Sequence, residues 1–183
     1  MIEVDQLVEA AAPHLKPLIV FLVGTGARMS EAMELNWRDD DLAGGRVIFW
    51  RTKGGKRRIA WMSPRVVAAL ANLGHRTGPV FLRPDGIPYT DRERRYGGQI
   101  KTGWAGAIRR AGLAPEFTPH VCRHTWASWH YALNKDLLAL KHDGGWSSVA
   151  LVERYAHLLP AGNEEAIRTW HRFGTSGYRA DAV

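Results

Sequence analysis

Thr118-Pro119-His120-Val121-Cys122-Arg123-His124-Thr125 is the stretch on which the reading of this chain turns. Thr118 in the N-cap position and Pro119 at the first helical position mark a helix start. His120 and Arg123 stand three apart in its first turn, so their side chains share a face and are placed to grip one phosphate. Downstream come Gly144-Gly145-Trp146 and then Arg154-Tyr155-Ala156-His157. Ser147 reads as the cap of a helix over 149–158 that carries Tyr155, and Trp146, just before that cap, is placed to staple against Leu151.

Upstream, apolar positions at helical spacing in residues 4–25, interrupted by Pro13 and Pro17, predict two short helices ending at Gly24-Thr25-Gly26. A third helix is expected from about Arg28 to Leu35, with Met29, Ala32, Met33 and Leu35 as its buried stripe. Arg28 follows a Gly-rich turn at that helix start, where backbone amides already favour an anion. Val47 to Trp50 and Ile59 to Met62 read as the strands of a β-hairpin. Its tip, Arg51-Thr52-Lys53-Gly54-Gly55-Lys56-Arg57-Arg58, is a basic finger suited to a groove. Ser63 and Pro64 open a helix to about Leu73, and residues 80–82 suggest a further short strand. After a polar, Gly-rich stretch the pattern is helical to the end, with Ala166, Ile167, Trp170 and Phe173 forming a last apolar stripe. The expected fold class is α+β, mainly helical with a small antiparallel sheet. One domain is expected over 1–183, with 163–183 as a C-terminal helix and tail.

Composition narrows the partners. The chain has 183 residues, 45% of them hydrophobic, enough for an ordinary core. Lys and Arg number 25 against 18 Asp and Glu, for a net charge of +7, and the sequence pI is near 9.9, which favours a polyanion. Nucleic acid leads, ahead of an anionic membrane surface. The longest apolar run, Leu18 to Val23, is far short of the roughly 18 residues of a membrane span. A single cysteine, Cys122, excludes an internal disulfide. With no signal-peptide pattern at the start, it points to a cytoplasmic protein.

Taken singly, each motif has an ordinary account: a surface arginine, a solvated charge run, a half-buried tyrosine. The ordered set is different. Gly24-Thr25-Gly26-Ala27-Arg28-Met29-Ser30-Glu31, Thr52-Lys53-Gly54, the His120–Arg123 box, Gly144-Gly145-Trp146 and Arg154-Tyr155-Ala156-His157 together resemble the tyrosine recombinase (phage integrase) family, from about residue 4 to the 150s. The resemblance implies that family's catalytic-domain fold and site-specific breaking and rejoining of double-stranded DNA through a 3′-phosphotyrosyl intermediate. It implies that Arg28 and Arg123 clamp the scissile phosphate, Lys53 is the general acid, Tyr155 is the nucleophile and Glu31 supports the site. His120 is expected to take the phenolic proton, a step that costs about 4 kcal/mol at neutral pH for a free tyrosine. Trp146 stands where a histidine is commoner; its indole can donate to a phosphate oxygen but cannot shuttle a proton. Arg51, Lys56, Arg57 and Arg58 are expected to contact DNA. Neither metal nor other cofactor is expected, since the covalent link preserves the bond energy.

The resemblance also implies a tetramer on DNA, a monomer when free, a nucleoid location, and exchange of the C-terminal segment between neighbouring subunits. The amino-terminal helical domain usual in the family has no counterpart here, so weak DNA binding is expected. Ala27 and Asp143 depart from the family's usual bulkier or apolar residues, Asp143 putting local packing in question. Three alternatives stay open: a DNA-binding module of the same fold that has lost catalysis, a type IB topoisomerase, and a zinc protein using His120, Cys122 and His124.

Overall fold

The apolar run from Leu18 to Val23 occupies the centre of the molecule, every one of its residues almost wholly buried. The computed structural model of the chain describes residues 2–50, 57–89, 96–158 and 162–172. Helices α1 (Ile2–Ala10) and α2 (Lys16–Thr25) are the two short helices expected, and α2 is surrounded on all sides, which is why its sequence is apolar all round. It packs against α4 (Pro64–Ala71) and α6 (Pro119–Asn134), while α1 lies along α5 (Tyr96–Ala111). Helix α3 (Met29–Glu34) follows the Gly26 turn.

Three short strands, β1 (Asp40–Asp41), β2 (Arg46–Phe49) and β3 (Arg58–Trp61), form an antiparallel sheet in the order β1-β2-β3, with Val47 opposite Ala60 and Phe49 opposite Arg58. The alternation along β3 turns Arg58 and Ala60 inward and leaves Ile59 and Trp61 exposed. Helix α7 (Leu137–Gly144) is capped at its start by the Asp136 carboxylate, and α8 (Glu164–Arg172) closes the described chain.

Four expectations need correction. Residues 80–82 do not form a strand; they contribute only an isolated bridge, Leu82 to Pro88. The Ser63 side chain makes no cap bond, although Pro64 does begin α4. Tyr155 is not on a regular helix capped by Ser147: irregular turns lead into a short 3-10 helix, Glu153–His157. Trp146 does not staple to Leu151, which is exposed; it packs instead on Trp126 and Tyr155.

Helix α8 docks on its own domain. Ile167 and Trp170 are buried, the Trp170 ring lies 5.0 Å from that of Trp129, and the Arg65 guanidinium sits 4.4 Å over it. The Trp170 indole N–H donates to Asp5 at 3.1 Å, tying the end of the described chain to its first helix. The C-terminal helix is thus part of the core. Phe173 and the rest of the tail, residues 173–183, are outside the described residues.

Candidate active site

The end of α7 is where the distant motifs meet. A helix leaves its last carbonyls without intrahelical partners and carries a partial negative charge there. Three successive carbonyls at this end each receive a different arginine. Asp143 O accepts from Arg58 at 2.9 Å, Gly144 O from Arg123, and Gly145 O from Arg28 at 3.1 Å. The paired glycines make this possible. Gly145 is left-handed (φ +65°), and a Cβ there would crowd the Arg58 side chain; a Cβ on Gly144 would overlap the Trp146 ring.

The second anchor is Glu31, only 4% exposed. Its carboxylate accepts from the Arg28 backbone N–H at 2.8 Å, from the Arg28 guanidinium at 2.7 Å and from the Arg58 guanidinium at 2.6 Å. Burial would push this carboxyl up, but Arg58 and Arg28 overcome it and hold it below the usual carboxylate range. Arg58 was expected on the DNA-facing finger. It is instead the first residue of β3, 6% exposed, packed at 4.5 Å over the Phe49 ring and spent on Glu31 and Asp143.

Arg123 reaches from α6 across to Gly26 O as well as Gly144 O, and its guanidinium stacks 4.1 Å above the Trp146 ring. Gly26 is left-handed (φ +63°), and a Cβ there would enter the Trp126 ring. The glycine-rich turn therefore serves to let α6 approach. Burial, then the charges of Arg28 and Arg58, push Arg123 down to about 9. Arg28 and Arg58 share the Glu31 carboxylate while Arg123 is held by the Gly26 and Gly144 carbonyls, so the cluster is short of negative charge, and an anion would complete it.

Tyr155 lies beside this cluster, 1% exposed. Trp146 is the wedge between them, its ring centroid 5.8 Å from the Tyr155 ring and 6.1 Å from that of Trp126, against which it stacks. The phenolic oxygen is held at 2.6 Å from His124 Nδ1 and 3.1 Å from the Arg154 guanidinium, which covers the ring at 5.1 Å. His120 is one turn earlier on α6, exposed, with its ring edge-on to His124 at 4.7 Å. Burial, then the charges of Arg123, Arg154 and Arg28, lower its pKa and keep it neutral.

The structure thus brings Arg28, Glu31, His120, Arg123, Trp146 and Tyr155 into one region. Lys53, Arg51 and Lys56 lie outside the described residues, and Arg57 is exposed just before β3. Cys122 is buried in the main core, its thiol pushed up to about 12 by burial, and is no partner for the two histidines. Asp143 packs by pairing with His130 at 2.9 Å and His142 at 3.1 Å. Sequence reasoning missed the contacts of His124, Arg154 and Arg58. The signal for His124 was present, since it lies four residues after His120 on one helix face.

Residues 2–161 match the sequence profile of the phage integrase family. The chain belongs to that family. Integrase of Salmonella phage P22 is 30% identical over 95% of the chain and 47% of its own length. Tyrosine recombinase XerC of Pelobacter propionicus is 30% identical over 78% of the chain and 47% of its own. The chain therefore spans about half the length of these curated relatives. Among solved structures, XerA recombinase superposes with a TM-score of 0.72 (25% identity, 94% of this chain, 62% of that one). The catalytic domain of bacteriophage HP1 integrase gives 0.65 (26% identity, 91% and 90%). The fold is thus that of the integrase catalytic domain, mainly helical with its small three-stranded sheet. No helix among the described residues is long and apolar enough to cross a membrane.

Proposed function

We propose that this integrase-family domain breaks and rejoins double-stranded DNA at a specific site, with Tyr155 as nucleophile. The observation that carries the reading is the cation cluster: Arg28 and Arg123, anchored from behind on the α7 carbonyls and Glu31, short of negative charge and adjacent to a tyrosine hydroxyl. A bridging phosphate supplies the missing anion, and the same donors stabilise the extra charge of the pentavalent transition state. Tyr155 Oη attacks phosphorus, an O–P bond forms, and the P–O5′ bond breaks. The leaving oxygen takes a proton from Lys53, and the 3′-phosphotyrosyl link keeps the bond energy for a second strand's 5′-hydroxyl.

Tyr155 is buried, so attack requires the Glu153–His157 segment and its Arg154 cover to shift when DNA arrives. Arg57 and the finger residues Arg51 and Lys56 supply contacts to the DNA backbone. Exposed Ile59, Trp61 and Leu138 offer apolar surface for assembly of four copies on DNA, with residues 173–183 as the exchanged segment. The domain works without metal or nucleotide, in the cytoplasm, at the nucleoid.

The test is covalent capture. Nicked duplexes carrying the target site should yield a denaturation-resistant protein–DNA adduct that Tyr155→Phe abolishes. Tight, site-specific binding with no adduct would favour the DNA-binding module, and rapid plasmid relaxation without any specific site would favour the topoisomerase.

A further inference from the structure

Arg58 touches both supports of the arginine pair. One Nη donates to Glu31 Oε2 at 2.6 Å and the other to the Asp143 carbonyl at 2.9 Å, so a single planar guanidinium joins the start of α3 to the end of α7. Arg28 rests on the same two places, Glu31 Oε1 at 2.7 Å and the Gly145 carbonyl at 3.1 Å, and Arg123 rests on the Gly144 carbonyl between them. The two contacts on Glu31 differ in depth: the Arg28 side chain is 22% exposed, that of Arg58 only 5%. The Arg58 stem is enclosed between the Phe49 ring, which pairs with it across the sheet, and Gly145, where an added Cβ would come within 3.0 Å of its Cδ. Among the described residues its buried Nε has no hydrogen-bond partner, so this guanidinium is held through Glu31 and Asp143.

We infer that Arg58 is a positioning residue for the scissile phosphate: without meeting the DNA, it braces α3 against α7 and takes up part of the Glu31 charge, so that Arg28 and Arg123 present a fixed and unneutralised pair. The inference rests on the reading of this site as the one that cleaves DNA.

Two physical arguments carry it. A buried ion pair gains little net stability over an apolar pair of similar volume, so what the Arg58–Glu31 contact contributes is geometry. The second argument concerns charge. With Arg58 on Oε2, the Arg28 guanidinium holds Glu31 through Nη1 and Gly145 through Nη2, leaving Nε–H and one hydrogen on each Nη uncommitted among the described residues. Without Arg58, both Glu31 oxygens are free to close a bidentate pair with Arg28. That pair is neutral, and less of its attraction is left for a phosphate.

Nicked duplexes randomised around the nick serve as the probe, with sequences recovered from covalent adducts used as the fixed substrate. A second version of that duplex carries a methylphosphonate at the scissile position, where a methyl group in place of one non-bridging oxygen removes the charge that the arginines meet. Arg58→Met keeps apolar volume over Phe49 and removes both contacts. Its adduct rate on the phosphodiester at saturating protein should fall on the order of 10²-fold, the scale of a displaced reacting group. Its deficit relative to the parent should be much smaller on the methylphosphonate. Both substrates are offered to one preparation, so any loss of folded protein cancels from the comparison. Arg58→Lys, which keeps the charge but not the planar fork, should show the same dependence on substrate. Equal deficits on the two substrates would leave Arg58 a part of the scaffold, and a deficit seen only below saturation would make it a DNA contact. A parent-like rate in either variant would leave the brace without effect. Each of these overturns the inference with the cleavage reading intact. No adduct from the unchanged chain, or one that survives Tyr155→Phe, removes the cleavage reading and this inference together.

Discussion

Replacing Glu31 with glutamine should unfold this domain at a markedly lower temperature, and the size of the loss follows from the hydrogen bonds. The carboxylate serves three donors, two on Arg28 and one on Arg58, and is 4% exposed. Glutamine keeps the volume and one acceptor oxygen but turns an NH2 toward a donor. Arg58, 6% exposed, is left with the Asp143 carbonyl and the face of Phe49. Stranding one partner of a buried ion pair costs about 3–5 kcal/mol. The remaining neutral contacts put the expected loss near the lower figure, about 3 kcal/mol, or about 6–12 °C in melting temperature for a domain of this size.

Two further readouts separate electrostatics from packing in that variant. The variant has lost the carboxylate that Arg28 and Arg58 share, so sulfate should stabilise it more than the parent. The parent's extra stability depends on an ionised Glu31, whose folded pKa lies below its unfolded value. That stability is present above the unfolded pKa and disappears as pH falls through the folded one, and the variant should lack this acid-side loss. Denaturant titrations at several pH values, with and without sulfate, measure all of this. A loss below about 1 kcal/mol, with identical sulfate response, would refute the picture of Glu31 as the charge partner of two arginines.

Other outcomes follow from the same structure. Gly26→Ala should cost about 2–5 kcal/mol, combining a left-handed backbone with overlap on Trp126, and it should weaken phosphate binding by moving the carbonyl that holds Arg123. His171, half-buried against Trp129 and Trp170 with Arg65 nearby, is pushed down to about 4 by burial and by Arg65. The unfolded chain therefore binds a proton that the folded one refuses between about pH 6.5 and 4, so stability should fall by about 1.4 kcal/mol per pH unit on acidification; His171→Gln should flatten that slope. Trp170→Ala should destabilise the isolated domain by about 3–5 kcal/mol, whereas deleting 173–183 should spare folding; the reverse would contradict the docking of α8 in its own core. DNA affinity should drop on the order of 10³-fold between 50 and 200 mM salt if six or more phosphates are contacted, and filter binding at several salt concentrations checks it.

What the sequence determined by itself is whatever depends on neighbours along the chain. The fully apolar run of α2, the Pro64 and Pro119 helix starts and the alternation of β2 and β3 are short-range signals, and they gave the elements and the class of fold. The ordered motifs likewise pointed to Arg28, Glu31, His120, Arg123, Trp146 and Tyr155 as one group, which the structure brings into one region. Only the tertiary structure decided how they are held, because those contacts join residues far apart in sequence. Arg58 looked like a groove-binding cation until the pleat turned it inward onto Glu31, 27 residues away. The side chain that meets the Tyr155 hydroxyl is His124, one helical turn beyond His120 on α6, because the turns after α7 set the phenol there, a placement that no pattern in the chain records.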